Sequence, residues 1–193
     1  MLVAGYRKFS ELINALLPEF ADEADFDIVE FVASEHQNYR DLARRYRADA
    51  VISAGSNASY LKSTLSVPVL AQPVTDADVV EAIAKARRIA DRVHVFTYSG
   101  EPGISDRVFG SLSEMLKAQI VHKTYTTTDE ATEALLLSLA DESPEVIVGP
   151  SYICRLAEQR STPAILMYSR PSARALLRRA IDVARSTQSA QQG

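Results

Sequence analysis

Fifteen residues, Val51-Ile-Ser-Ala-Gly-Ser-Asn-Ala-Ser-Tyr-Leu-Lys-Ser-Thr-Leu65, recur in outline as Val146-Ile-Val-Gly-Pro-Ser-Tyr-Ile-Cys-Arg-Leu-Ala-Glu-Gln-Arg160. The two copies align without a gap: Ile52 answers Ile147, Ser56 answers Ser151, Leu61 answers Leu156, Ser66 answers Ser161 and Pro68 answers Pro163. Each copy reads as a buried strand, a small polar turn, a short helix and a further apolar strand. A chain holding this unit twice is expected to build two similar α/β halves with a cleft between them. That cleft is where a ligand would be sought.

The 193 residues, 47% hydrophobic and 24% charged, can bury a real core and allow one domain or two small lobes. A net charge of −4 argues against a general nucleic-acid surface, which is normally basic. No apolar run approaches the ~20 residues needed to cross a bilayer. The opening Met1-Leu-Val-Ala-Gly-Tyr-Arg7 reads as a first strand rather than a signal peptide. Cys154 stands alone, so it makes no internal disulfide and fits a reducing, cytoplasmic location.

Apolar spacing alternates between short β-like runs and helical periods. Strands are expected at 2–4, 28–32, 50–53 and 67–70, then at 93–97, 119–124, 146–148 and 164–167. Helices are expected around Phe9–Leu16, closed by Pro18, and at 38–47, 76–91, 105–117, 128–140, 151–159 and 171–187. Strands separated by helices imply parallel sheets with right-handed crossovers. The fold class is therefore α/β, with two Rossmann-like parallel-sheet lobes. Lobe 1 is assigned 1–74, completed by the C-terminal helix 171–187, and lobe 2 is assigned 75–168. The polar residues 188–193 read as the end of a frayed tail or linker that begins near Ser186.

In open parallel sheets ligands collect beyond the carboxyl ends of the strands. Those ends are polar here, and the candidate ligand-binding residues are Tyr6, Arg7, Gly55, Ser56, Asn57, Thr97, Tyr98, Tyr125, Ser151, Ser169 and Arg170. Tyrosines can stack on a ligand and hydrogen-bond it, or can merely close the edges of the core. Gly55-Ser56-Asn57 opens a helix, where unpaired N–H groups favour carboxylates and phosphates, although a serine or asparagine there can equally be a plain cap. Arg7 and Arg170 each follow a strand and could clamp a carboxylate through two parallel hydrogen bonds, or could be solvated surface charges.

Enzyme signatures are thin. The chain holds no G-x-G-x-x-G, G-x-x-x-x-G-K-[ST] or G-x-S-x-G motif. His36, His94 and His122 are scattered, with no cysteine or carboxylate at metal-ligand spacing, so neither metal nor cofactor is expected. A two-cysteine racemase would need a cysteine opposite Cys154, where the first copy has Ser59.

Asp49-Ala-Val-Ile-Ser-Ala-Gly-Ser-Asn-Ala-Ser-Tyr-Leu61, followed by Ser66-Val-Pro-Val69, Val74-Thr-Asp-Ala-Asp-Val-Val80 and Ala84-Lys-Ala-Arg87, resembles the N-terminal sensory domain of propionate-catabolism activators. The stretches Val121–Thr128, Val146-Ile-Val-Gly149 and Met167-Tyr-Ser-Arg170 fit the same domain, so that the resemblance covers roughly residues 2 to 185. It implies a sensor working with sigma-54, built on two lobes like a periplasmic binding protein and responsive to 2-methylcitrate. It also implies an ATPase module and a DNA-binding domain as output partners, neither of which this sequence contains. Family members often carry Ser-Arg-Gly-Gly-Thr-Ala where this chain has Ser53-Ala-Gly-Ser-Asn-Ala58. The missing arginine at Ala54 removes a carboxylate partner worth about 1.5–3 kcal/mol.

The resulting expectation is a non-catalytic, effector-binding domain of a bacterial transcription regulator. It would bind a small organic acid between two lobes hinged at 72–75 and 168–171, without touching nucleic acid or membrane. A small isomerase, racemase or lyase using the same cleft is the alternative from a different class. An interaction or homodimerisation module is the third reading.

Overall fold

The computed structural model describes residues 1–30, 38–99 and 105–192. In chain order the elements are β1 (Leu2–Gly5), α1 (Arg7–Leu16), β2 (Asp27–Glu30), α2 (Tyr39–Arg45), β3 (Val51–Ser53), α3 (Gly55–Thr64) and β4 (Val69–Ala71). They continue with α4 (Asp76–Arg87), β5 (Arg92–Tyr98), α5 (Asp106–Leu116), β6 (Gln119–Tyr125), α6 (Thr128–Leu137), β7 (Val146–Gly149), α7 (Ser151–Glu158), β8 (Ala164–Leu166) and α8 (Arg170–Gln191). The expected strand over 28–32 runs into undescribed residues after Glu30, and His36 also lies outside the described residues.

All strands pair in parallel, in two separate sheets ordered β2-β1-β3-β4 and β6-β5-β7-β8. The fold is thus the duplicated α/β class that the internal repeat implies. The central strands are buried along their whole length in β1, β3 and β7, whereas edge strand β2 has exposed ends. This explains why the central strands read as continuous apolar runs: helices cover both faces of a parallel sheet.

The chain divides into two compact units, unit 1 comprising Met1–Pro73 with Arg170–Gly193 and unit 2 comprising Val74–Ser169. In unit 1, α1 and α8 pack together, α1 against β1 and β2 and α8 against β4, while α3 covers β3 and β4. In unit 2, α4 and α5 pack together, with α4 on β5, β7 and β8 and α5 on β6; α6 and α7 pair over β6 and β7. Helix α4 follows a strand of unit 1 yet packs on unit 2, and α8 follows a strand of unit 2 yet packs on unit 1. The two helices play matching parts.

Helix α1 buries Phe9, Ile13 and Leu16 on one stripe and ends before a 3-10 turn, Leu17–Phe20, that accommodates Pro18. Its start is set by Gly5. A Cβ there would stand 2.3 Å from Phe9 Cδ1, so only glycine lets the helix fold back this tightly onto β1. Overpacking of this kind costs about 1–3 kcal/mol. Gly5→Ala is therefore expected to lower the unfolding free energy by that amount and to shift the urea midpoint down, and an unchanged midpoint would show that Phe9 can move aside freely.

Helix α8 buries Ala173, Leu176, Leu177, Ala180, Ile181 and Ala184, and it does not fray where a polar tail was expected. The helix runs on to Gln191, because residues 186–191 contain no helix breaker and extending a formed helix is cheap. Gln188 Nε2 also donates to Asp49 Oδ2 at 2.7 Å, pinning the last turns to unit 1.

A ladder of ion pairs fixes the rest of α8. Arg174 grips Glu19 through two hydrogen bonds of 2.7 and 3.0 Å, and Arg178 donates to Glu23 at 2.6 Å. These hydrogen bonds, more than the surrounding charges, hold both carboxyls below the ordinary glutamate value. A carboxylate with a depressed folded pKa stabilises the fold above its unfolded pKa, and that contribution is lost as pH falls through the folded value. The stability difference between the protein and its Glu19→Gln/Glu23→Gln variant should thus be full at pH 7 and vanish on acidification well below about pH 4. Urea unfolding at pH 7 and pH 3 measures it; a difference persisting at pH 3 would mean that the pairs act through packing instead of charge.

Candidate functional site

Three helices start within two residues of a strand end: α1 after β1, α3 after β3 and α7 after β7. Together with α5, they share a property that the other capped helices lack. Their N-cap residues, Tyr6, Ala54, Pro150 and Ser105, make no side-chain cap hydrogen bond. By contrast Asn38, Thr75 and Thr127 accept from backbone N–H groups at the starts of α2, α4 and α6. The uncapped helices follow the central strands, where the connections diverge to opposite faces of the sheet. This is the topological switch point of each unit, the place where parallel α/β proteins present helix N-termini to a ligand.

In unit 1 the switch point carries Tyr6, Arg7, Gly55, Ser56 and Asn57. Tyr6 is buried, and Ser56 and Asn57 are partly exposed at the second and third positions of α3. Gly55 adopts φ +56°, a left-handed conformation that suits glycine and aims the first amides of α3. Ser53 is committed elsewhere, its hydroxyl donating to the Ala4 carbonyl at 2.6 Å and tying β3 to β1. Arg7 is already paired with Glu11 at 3.1 Å and lines a cavity of about 300 Å³ with Glu30. Arg170 is exposed at the start of α8, close enough to Glu19 to help lower its pKa. Both arginines therefore stand beside carboxylates in unit 1.

In unit 2, Tyr98 and Tyr125 close the ends of β5 and β6, their rings tilted at 43° with centroids 6.0 Å apart. Tyr125 is buried in the core cluster around Phe96 and Ile153, which favours edge-closing over ligand stacking for that ring. Ser151 opens α7 and is buried. Tyr152 is drawn into packing, its hydroxyl lying 2.6 Å from Thr132 Oγ1. Cys154 is fully buried in the same cluster, its thiol directed at the Gly149 carbonyl, which leaves it poorly placed as a nucleophile.

Two arrangements could not be seen in the sequence. The first is a relay in which His122 Nε2 lies 2.6 Å from Thr97 Oγ1 and His122 Nδ1 lies 3.0 Å from Asp106 Oδ1. Phe109 stacks on the imidazole at 4.2 Å. A ring whose Nδ1–H is donated to the Asp106 carboxylate accepts from the Thr97 hydroxyl at Nε2. Thr97 then offers a ligand its oxygen lone pairs. The residues lie at 97, 106 and 122, with no periodicity to betray them.

The second is a polar node at the start of α4. Asp78 is buried; its Oδ2 accepts from the Thr75 N–H at 2.9 Å, while Oδ1 accepts from the Ser169 hydroxyl. Thr75 Oγ1 in turn caps the Asp78 N–H, completing a capping box. Of the expected site residues, Ser169 is thus occupied by Asp78 at the point where the chain leaves unit 2. Nearby in sequence, Gln72 is 1% exposed, and its Oε1 meets no donor among the described residues. Removing Asp78 would take away an acceptor from the Ser169 hydroxyl and from the Thr75 amide, and loss of such a bond to a buried group costs about 1–3 kcal/mol. Asp78→Ala should accordingly destabilise the protein more than Ser169→Ala in urea titrations. Equal effects would place the cost in the Ser169 contact alone.

Among the described residues no group of His, Cys, Asp and Glu could hold a metal ion, and no helix is long and apolar enough to cross a membrane. The architecture is that of a duplicated Rossmann-like α/β protein whose two switch points present uncapped helix N-termini. The chain belongs to the propionate catabolism activator family, whose pattern matches residues 20–190.

Among solved structures, an NtrC family transcriptional regulator from Clostridium acetobutylicum is similar over 96% of this chain and 96% of its own, with 22% identity and a TM-score of 0.75. Weaker likenesses include the ABC domain in complex with L-Trp from Streptococcus pneumonia (12% identity, covering 95% of this chain and 84% of that one, TM-score 0.45). Another is a periplasmic binding ribose operon repressor protein from Lactobacillus acidophilus (11% identity, covering 96% and 91%, TM-score 0.44).

Proposed function

We propose that the chain is the effector-sensing domain of this regulator. It would take a small organic acid at the carboxyl ends of the central strands, between the two lobes, and pass the signal to an output domain. The observation that carries the reading is the set of uncapped helix N-termini at both switch points. Backbone N–H groups there need acceptors, and the helix dipole favours an anion. Ser56, Asn57 and Thr97 add polar groups suited to a hydroxy acid, and the orphaned Gln72 amide oxygen could accept from a ligand hydroxyl. Membership of the propionate catabolism activator family makes 2-methylcitrate the first acid to try.

The two ends of the site are not equivalent in this reading. Without an arginine at position 54, and with Arg7 and Arg170 beside Glu11 and Glu19, much of the ligand's charge would rest on backbone amides. A less highly charged acid than a tricarboxylate would suit that arrangement. Signalling would follow from a ligand that prefers one lobe arrangement, since only differential affinity shifts an equilibrium. Catalysis plays no part in this reading, and the domain would act in the cytoplasm, where its DNA target lies.

A thermal-shift series with 2-methylcitrate, citrate, propionate and other small carboxylic acids tests it. A bound acid at 100 times its Kd should stabilise the protein by about 2.7 kcal/mol. Replacing Asn57 by Leu, which leaves α3 uncapped as before, should weaken that response. No stabilisation by any acid at millimolar concentration would count decisively against an organic-acid sensor.

A further inference from the structure

Unit 1 holds a second polar cavity, at the opposite end of its sheet from the switch point. It has a volume of about 500 Å³ and lies between α2 and the loop that leads from α3 into the amino end of β4. Arg40, Arg44 and Arg47 line it on one side, with Leu65, Ser66 and Val67 on the other. Arg40 and Arg44 stand one turn apart on the same face of α2, and Arg47 follows just past the helix end.

Among the described residues little negative charge accompanies them. Arg40 Nε donates to the Thr64 carbonyl at 2.8 Å, which fixes the guanidinium against the loop and leaves its two terminal amino groups without a bond among the described residues. The carboxylate beside Arg44 is that of Asp41, at 4.0 Å, and Asn38 already donates to Asp41 at 2.8 Å. Arg47 meets no carboxylate among the described residues. Arginines in a last turn often just complement the helix dipole, and Arg44 does so here. Arg40 does not, because it sits in the first turn of α2, where the dipole disfavours a cation.

We propose that this cavity binds a small polyanion carrying adjacent phosphates, at a site separate from the switch points. Guanidinium forks match phosphate oxygens through paired hydrogen bonds. Three cations call for two or three negative charges on one ligand, more than a single carboxylate supplies. Ser66 adds a hydroxyl donor, and Leu65 and Val67 give an apolar wall for the rest of the molecule. The volume falls within the ~300–1,000 Å³ typical of small-molecule sites.

Arg47 also provides a clean test. It occupies the left-handed position after α2, with φ +48°, in a Schellman ending where the Ala48 N–H donates to Ala43 O and the Arg47 N–H to Arg44 O. Glycine is preferred at such a position, so Arg47→Gly removes the cation and keeps or raises stability.

Inorganic pyrophosphate, titrated calorimetrically into the full chain, is expected to bind saturably at one site. The affinity should fall with added salt and drop at least about tenfold in both Arg44→Gln and Arg47→Gly. Absence of saturable binding, or an affinity in both variants equal to that of the unsubstituted protein, would overturn the proposal. Titrating 2-methylcitrate into the same variants keeps the two sites apart. If it still binds Arg47→Gly while pyrophosphate does not, the sites are distinct. If both are lost together, the cavity is a general anion site and the separate phosphate site is refuted. Failure of every carboxylic acid alone would sink the sensor reading and leave the pyrophosphate result standing.

Discussion

Two strands that run the same way cannot be joined by a tight turn. The chain must cross back along the sheet, and here each return within a unit is made by a helix. Everything else in this protein follows from that constraint. Each sheet needs helices on both faces, because parallel strands as apolar as β1, β3 and β7 expose nothing safely to water. Unit 2 meets the requirement with consecutive elements, α4 to α7. In unit 1, α8, which follows unit 2 in the chain, packs with α1 and on β4 and so completes one layer. The arginine ladder to Glu19 and Glu23 is the polar counterpart of that return.

The same geometry makes the candidate site. Where two central strands send their helices to opposite faces, the helix N-termini come together without a side-chain cap. Peripheral helices α2, α4 and α6 satisfy their first amides with Asn38, Thr75 and Thr127. The central ones do not, although serine or asparagine stands one or two residues away in α3 and α7. A side-chain cap would compete with a ligand for the same N–H groups. In α3 and α7 the polar residues stand inside the first turn, and the capping positions hold Ala54 and Pro150.

Much of this was legible from the sequence, because duplication and periodicity are read directly from residue spacing. The repeat at Val51 and Val146 marks β3–α3 and β7–α7, and the apolar runs locate every strand to within a few residues. Helix α8 was placed from its 3.6-residue apolar period, but its last turns were not. Residues 186–191 are polar, and their order depends on a neighbour 139 positions away, Asp49, which no local pattern encodes. The same limit hid the Thr97–His122–Asp106 relay and the Asp78–Ser169 bond. The second joins residues 91 apart, and such pairs are created only when the fold closes. Conversely, Arg7 looked free in the sequence because its partner Glu11 lies one helical turn away, and the helix was expected to begin later than it does.

That exchange of helices also sets an order of assembly. Unit 2 is one continuous stretch, Val74–Ser169, whose elements are all present once Ser169 has been made. Unit 1 is discontinuous and lacks a face until α8, which follows unit 2, has been synthesised. During translation the first 73 residues would therefore wait with the apolar surface of α1 and β4 uncovered while the middle of the chain folds ahead of them. The usual expectation that N-terminal parts fold first is reversed. Residues made after unit 2 are the ones that complete the stretch made before it.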